Sequence, residues 1–142
     1  MNNEFQTIRD CFEKDHYAKL TGIELVDFGK GWAQAKLVIQ QKHLNIVDTV
    51  QGGVIYTLAD FAFEVASNSY GDIAMGIETH LSFFKAVAAG TLLATAKEVS
   101  FHPKLAHYTV EVVAEGDDEV IAKFDGTVYR KNKPLTEIPK NR

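Results

Sequence analysis

QGGVIYTLADFAFEVASNSY, residues 51–70, decides how the rest of the chain folds. A glycine pair opens this stretch, about fourteen mostly apolar residues follow, and Asp60 and Glu64 lie in the middle. The spacing of the apolar residues predicts a long helix over residues 52–70 that is buried on most of its sides. Because residues four apart share one face of a helix, the two carboxylates lie on a common stripe with Tyr56.

Asp60 needs a reason to be in this helix. A carboxylate in apolar surroundings costs several kcal/mol of desolvation unless another group compensates it. No Lys or Arg occurs between Gln51 and Lys85, so the local sequence offers no cationic partner. One interpretation is that the Asp60 stripe faces water or caps a neighbouring loop. The other is that the carboxylate serves a functional site.

The start of the helix favours a functional site. Gly52 and Gly53 follow Gln51, and glycine lets a substrate approach the backbone closely. Amide groups at a helix N-terminus have no partner within the helix and carry about half a positive charge, which stabilises developing negative charge. An oxyanion site together with Asp60, two turns along the same helix, predicts acyl-transfer chemistry.

Composition restricts the classes of protein that fit. The 142 residues predict one domain, and a net charge of −4 argues against sequence-independent nucleic-acid binding. No apolar run is long enough to span a bilayer. The first residues contain both acids and bases and lack a signal-peptide core. The single cysteine, Cys11, cannot form an internal disulfide, and we expect a cytoplasmic protein in which Cys11 serves packing.

The order of predicted elements indicates an α+β fold in which an antiparallel sheet wraps around one long helix. We expect a first helix over 3–14, a connector over 18–22 and a single domain over 1–130. Gly71 is expected to end the central helix, and the tail 131–142 is expected to fray. Predicted strands, from their alternation and turn residues, cover 23–28, 32–39, 74–84, 91–102, 106–115 and 120–130. One sheet on one helix leaves open edges, which favours self-association.

Several motifs extend this interpretation. Asn45 precedes Gln51-Gly52-Gly53 by six residues, and Leu58-Ala59-Asp60 places its acid eight residues after Gly52. Asn68-Ser69-Tyr70-Gly71 and Leu81-Ser82-Phe83-Phe84-Lys85 follow. With this set, residues 20–130 resemble the hotdog fold and, within it, the PaaI-type acyl-CoA thioesterases. That family usually has His-Gly-Gly where this chain has Gln51-Gly52-Gly53.

The resemblance implies the following roles. Asp60 would be the catalytic carboxylate, acting as general base or as nucleophile, with the Gly52 amide as oxyanion donor and Asn45 orienting water or substrate. Glutamine cannot titrate near neutrality, so Gln51 would replace the usual histidine only if that histidine positions the substrate. We expect activity to survive. The site would form between subunits of a homodimer or homotetramer, without a cofactor, since coenzyme A is part of the substrate. The expected substrate-binding residues are Gln51, Gly53, Glu64, Gly76, Ile77 and Lys85.

Some alternatives stay open at this stage. Glu64 could tune Asp60 by charge repulsion or contact a second subunit. His43 could reach the site or bond to backbone. The cations expected by type near the coenzyme A phosphates are Lys85, Lys104, Arg130 and Lys131. The acyl chain is expected along Tyr56 and Phe63. A hotdog hydratase or dehydratase, or a non-catalytic acyl-CoA sensor, are the alternative functions.

Overall fold

The computed structural model describes residues 3–117 and 119–138. Its helices are α1 (Asn3–Phe12), α2 (His16–Thr21) and α3 (Gly52–Ser67), with 3-10 turns at Gln41–His43 and Leu135–Glu137. The strands are β1 (Ile23–Gly29), β2 (Trp32–Val38), β3 (Asp72–Phe83), β4 (Thr91–Phe101), β5 (Leu105–Ala114) and β6 (Val120–Pro134). They form one six-stranded sheet in the order β1-β2-β4-β5-β6-β3. Every pairing is antiparallel, so the predicted α+β fold is confirmed.

Small side chains let α3 lie close to the middle of the sheet. In the ladder between β2 and β4, Ala35 lies opposite Ala94 and Ala33 opposite Ala96, and all four are fully buried. An alanine projects only one methyl group, so a helix can approach these two strands closely and still fill the space between them. The buried face of α3 therefore packs most extensively against β2 and β4.

Phe63 fixes α3 over the other half of the sheet. Its ring lies 5.2 Å from the ring of Phe124, centroid to centroid. A methyl group on Gly126 would come within 2.6 Å of the Phe63 ring, and one on Gly76 within 3.0 Å. The ring therefore occupies the space that side chains at these two positions would need. Phe63 belongs to the core between helix and sheet, and the expectation that it follows the acyl chain was wrong.

Three helix boundaries differ from the prediction. Helix α1 ends at Phe12, two residues before the predicted end at 14. Residues 16–21 form the short helix α2 where a connector was expected, because the Asp15 side chain caps its N-terminus and Gly22 ends it with φ +96°. The central helix ends at Ser67, before Gly71. Asn68 ends it, since its side-chain amide donates to the Glu64 carbonyl at 2.8 Å and its oxygen accepts from the Ala74 amide at 2.9 Å.

The end of the described chain is also more ordered than expected. Strand β6 continues to Pro134, four residues beyond the predicted end at 130, and pairs there with the start of β3. The Leu135 amide then donates to the Gly71 carbonyl at 2.9 Å, and the Leu135 side chain is buried. Residues 131–138 therefore do not form a frayed tail, and residues 139–142 lie outside the described part of the chain.

Strands β1 and β3 are the two edges of the sheet. On β3, Met75 and Ile77 are 52% and 61% exposed, so this edge offers apolar surface. Within the described residues, no helix is long and apolar enough to cross a membrane.

Candidate active site

A cavity of about 910 Å³ lies between α3 and the edge strand β3. From α3 it is lined by Tyr56, Asp60 and Glu64, which follow one another at one-turn spacing as the sequence predicts. Gly76 and Ile77 face it from β3. The structure therefore brings together Asp60 and three of the six expected substrate-binding residues, while their roles stay predictions.

The remaining walls come from the two ends of the described chain, which sequence analysis missed. Cys11 and Phe12 line the cavity from the end of α1, and Leu135 and Ile138 from the segment after β6. Of the four cations expected by type, only Lys131 lines this cavity. The apolar residues Leu135 and Ile138, three apart in a polar segment, were the one sequence signal for this wall.

The two carboxyl groups that α3 contributes to the cavity, those of Asp60 and Glu64, have different proton affinities. Burial raises the pKa of Asp60 from 3.8 to about 6, and the negative charge of Asp15 adds to the rise. Burial raises the pKa of Glu64 further, from 4.5 to about 8, with additional repulsion from Asp60 and Asp15. Near neutral pH the pair therefore holds one negative charge, mostly on Asp60, and one proton, mostly on Glu64.

Neither carboxyl group is neutralised by a neighbour. Among the described residues, no Lys or Arg lies within ion-pair distance of Asp60 or Glu64, and no protein group donates a hydrogen bond to either carboxylate. Asp60 is thus neither locked in an ion pair nor used as a helix cap. A carboxylate with unused acceptor capacity in a cavity is available to bind a proton or attack a substrate.

A hydrogen bond ties the helix to the edge strand beside Asp60. The hydroxyl groups of Tyr56 and Thr79 are 2.7 Å apart, and both residues line the cavity. Tyr56 precedes Asp60 by one turn, so the bond holds α3 and β3 in register at the level of the candidate catalytic carboxylate.

Gly52 lines a different cavity from that of Asp60. This second cavity measures about 360 Å³ and is also lined by Phe83 and Lys85. Among the described residues, no acceptor binds the Gly52 amide, as expected for the first residue of a helix. Lys85 is engaged nearby, donating to Glu119 at 2.9 Å. The expectation that one helix supplies both the oxyanion donor and the carboxylate of one site is therefore wrong for a single chain.

Gln51 and Asn45 are both engaged in local structure. Gln51 is the N-cap of α3, and its side-chain oxygen accepts a hydrogen bond from the Gly53 amide. The Asn45 oxygen accepts from the amides of Val47 and Thr49 at 3.0 and 3.1 Å, which shapes the turn that precedes the helix. In this chain alone, Gln51, Gly53 and Asn45 lie outside the cavity of Asp60.

His43 also has a local role. Its Nδ1 accepts from the Gln40 amide at 2.9 Å, and its Nε2 lies 2.7 Å from the Thr21 carbonyl. The interpretation of a loop histidine bonded to backbone is confirmed. Within the described residues, no group of three or more His, Cys, Asp or Glu side chains could hold a metal ion.

The class of fold is now defined, because an antiparallel sheet wrapped around one long helix, with an acid in that helix, is the hotdog arrangement. A solved protein of Thermus thermophilus shares it with a TM-score of 0.78 and 35% identity, covering 82% of this chain and 98% of that one. The solved PaaI protein of the Escherichia coli phenylacetic acid degradation operon matches with a TM-score of 0.87 and 28% identity, over 92% and 95% of the two chains.

Sequence comparison gives the family. The model of the thioesterase superfamily matches residues 48–121. A protein of Archaeoglobus fulgidus, provisionally named as an esterase, is 37% identical over 86% of this chain and 79% of its own length. The acyl-coenzyme A thioesterase PaaI of Escherichia coli is 29% identical over 93% of this chain and 94% of its own length. The chain belongs to the thioesterase superfamily and is a thioester hydrolase.

Proposed function

We propose that this enzyme hydrolyses acyl-CoA thioesters to a carboxylic acid and free coenzyme A. The observation that carries the proposal is the Asp60 carboxylate, which lies in a large cavity without an ion-pair partner among the described residues. The similarity to the Escherichia coli acyl-coenzyme A thioesterase over nearly the whole chain supports coenzyme A as the thiol part of the substrate. The proposal needs no further cofactor.

The distance along α3 supports a site built from two copies of the chain. Gly52 and Asp60 are eight residues apart, which is about 12 Å along a helix. One carbonyl group, with hydrogen-bond distances of about 3 Å on either side, spans only about 7 Å. One helix therefore cannot supply both groups to the same thioester. We place Asp60 of one protomer against the Gly52 amide of a second copy, in a homodimer or a pair of dimers.

The exposed surface around the cavity supports this assembly. Tyr56 on α3 and Met75 and Ile77 on β3 are exposed in the single chain, and they flank the cavity. Apolar groups at a sheet edge are stabilised when another chain covers them. A second copy placed there would bring its own helix start beside the cavity and would enclose the substrate between the two chains.

The proposed chemistry uses each group for what it can do. The free amide of Gly52 binds the carbonyl oxygen, where negative charge develops during attack; such a donor is typically worth about 10²–10³ in rate. Asp60, ionised above pH about 6, takes a proton from the attacking water or attacks the carbonyl carbon itself. Gln51 caps the helix, which holds the Gly52 amide in position. The lone Cys11 supports a reducing, cytoplasmic setting.

A free-thiol assay over a panel of acyl-CoA thioesters tests the proposal. Thiol release is expected for the wild type, and Asp60→Asn should lower turnover by about 10²–10⁴-fold with little change in acyl-CoA affinity, as for loss of a general base. Asp125→Asn, the same change at an exposed position of β6, is the matched control and should leave turnover unchanged. Near-normal turnover of the Asp60→Asn variant would remove Asp60 from the mechanism.

The same panel separates the alternative functions. Loss of enoyl absorbance without thiol release would show a hydratase. Saturable binding with neither signal would show an acyl-CoA sensor. Size-exclusion chromatography with light scattering, run on the active protein, tests the assembly, because a fully active monomer would contradict a site made from two copies.

A further inference from the structure

Glu64 is a half-buried acid that the proposed mechanism does not yet use. It lies one turn after Asp60 on the same face of α3, and both side chains line the same cavity. The Cβ atoms of residues at this spacing are about 5–6 Å apart. In glycoside hydrolases the two carboxyl groups that act on one bond are about 5–9.5 Å apart, a separation that side chains with this Cβ spacing can reach. Both carboxyl groups are therefore close enough to act on one scissile bond in this cavity.

Several polar side chains of the proposed site are not available as proton donors. Gln51 cannot titrate, and its side chain is engaged as the cap of α3. The Tyr56 hydroxyl is bonded to Thr79, and the Asn68 amide is bonded to the Glu64 and Ala74 carbonyls. When a thioester breaks, the departing sulfur carries negative charge, and the reaction is complete only when that sulfur receives a proton.

The charged and titratable groups around Glu64 come from several elements. Asp60 lies on its own helix, Glu78 on β3, and Lys131 and Lys133 on β6, all in the wall of the cavity. Cys11 and Glu137 complete that wall, and the Asp15 carboxylate acts on Glu64 from the start of α2. Neither lysine pairs with Glu64 within 4.0 Å among the described residues, so the nearest interactions favour the protonated form of Glu64.

We propose that Glu64 is a second catalytic residue of this site, the acid that gives its proton to the departing thiolate sulfur while Asp60 acts as the base. The proposal rests on the function proposed above. It assigns to Glu64 the protonation of the departing sulfur, a step that a titrating histidine at position 51 could otherwise perform. The raised proton affinity of Glu64 supports it, since the side chain still holds its proton when Asp60 is ionised.

The step balances as follows. Asp60 takes one proton from water as the water oxygen bonds to the thioester carbon. The carbon–sulfur bond then breaks, its electron pair goes to sulfur, and Glu64 transfers its proton to that sulfur. The products are a carboxylic acid and the thiol of coenzyme A. The proton on Asp60 passes to the Glu64 carboxylate, which restores the pair to one negative charge and one proton.

Two thioesters with the same acyl group and different thiols test this role. The alkyl thiol of coenzyme A is a weak acid, as cysteine is with a pKa of about 8.5, so its thiolate benefits from protonation as it leaves. Thiophenol is a much stronger acid, and its thiolate leaves without a proton. Glu64→Gln should lower kcat for the acyl-CoA on the order of 10²-fold, within the usual range for an acid catalyst, and change kcat for the thiophenyl ester only a few fold.

The pH profile is the second measurement. In the wild type, kcat for the acyl-CoA should fall as pH rises above about 8, where Glu64 loses its proton. This alkaline decline should be absent for Glu64→Gln and kept, at lower kcat, for Glu64→Asp, which retains a titrating acid. Glu111→Gln, the same change at an exposed position of β5, should leave both substrates and the profile unchanged. Circular dichroism and the oligomeric state establish that each variant folds.

The outcomes separate this proposal from the function on which it rests. If the wild type releases no thiol from either ester, both proposals fail. If it does and Glu64→Gln keeps normal acyl-CoA turnover, or loses turnover of both esters equally, Glu64 is not the acid and the thioesterase function stands. Should Glu64→Gln fail to fold, a Glu64→Asp profile without an alkaline decline would overturn the assignment.

Discussion

Replacing Glu64 by glutamine should change the stability of the protein in a way that depends on pH. The pKa of Glu64 rises from 4.5 to about 8 on folding, mainly because the carboxyl group is buried. Below pH 4.5 the group is neutral in both states and folding has no ionisation cost. As pH rises toward 8, the unfolded chain ionises Glu64 while the folded chain does not, so the free energy of unfolding falls. Glutamine stays neutral throughout and escapes this loss.

The magnitude follows from the size of the pKa change. Each pH unit between the two pKa values is worth about 1.36 kcal/mol, so a rise from 4.5 to about 8 sets an upper limit near 5 kcal/mol. Water reaches the half-buried carboxyl group and reduces this figure, and we expect roughly 2–3 kcal/mol. The Glu64→Gln variant should therefore match the wild type at about pH 4.5 and exceed its free energy of unfolding by that amount at about pH 8.

Urea unfolding followed by circular dichroism measures the difference directly, at one fixed protein concentration because an oligomer's stability depends on concentration. Glu111→Gln is again the control and should show no trend with pH. A Glu64→Gln difference that stays constant from acidic to alkaline pH would refute the reasoning, since a packing effect has no pH dependence of this kind.

Two further predictions follow from contacts described above. Gly126→Ala should lower the free energy of unfolding by about 1–3 kcal/mol, because the added methyl group would press on the Phe63 ring, and thermal unfolding measures the loss. Asp15→Asn keeps the cap of α2 but removes a charge that raises the pKa of Asp60 and Glu64. The acidic side of its pH profile, set by Asp60, and the alkaline side, set by Glu64, should both move to lower pH. An unmoved profile would show that this charge does not reach the site.

The strands and the central helix could be predicted because their hydrophobic periodicity is long. Strand β6 alternates between buried and exposed residues over many positions, and α3 is buried on most of its sides. Neither pattern of apolar residues arises easily by chance. Helix α2 has only six residues, too few for a period to be recognised, although its capping residues Asp15 and Gly22 were visible in the sequence. A cap signal without a periodic segment is weak, which explains why a connector was expected there.

The candidate site was predictable only where one element supplies it. Helical spacing places Asp60 and Glu64 on one face, and both line one cavity. The spacing of the motifs could not show that Gly52 lines a different cavity from Asp60. A motif gives the number of residues between two groups, but not the distance that a helix puts between them. The cavity wall formed by the segment after β6 was not predicted, because the lysines and the proline of 131–134 make the sequence around Leu135 polar on average.

The cavity of Asp60 and Glu64 has walls from the end of α1 and from the segment after β6, which are more than 120 residues apart in the sequence. The low acidity of the two carboxyl groups thus depends on how both segments pack against α3. If either segment detached for a moment, water would rehydrate both acids and return their proton affinities toward those of free side chains. Packing of these two segments therefore sets the chemistry of the central helix.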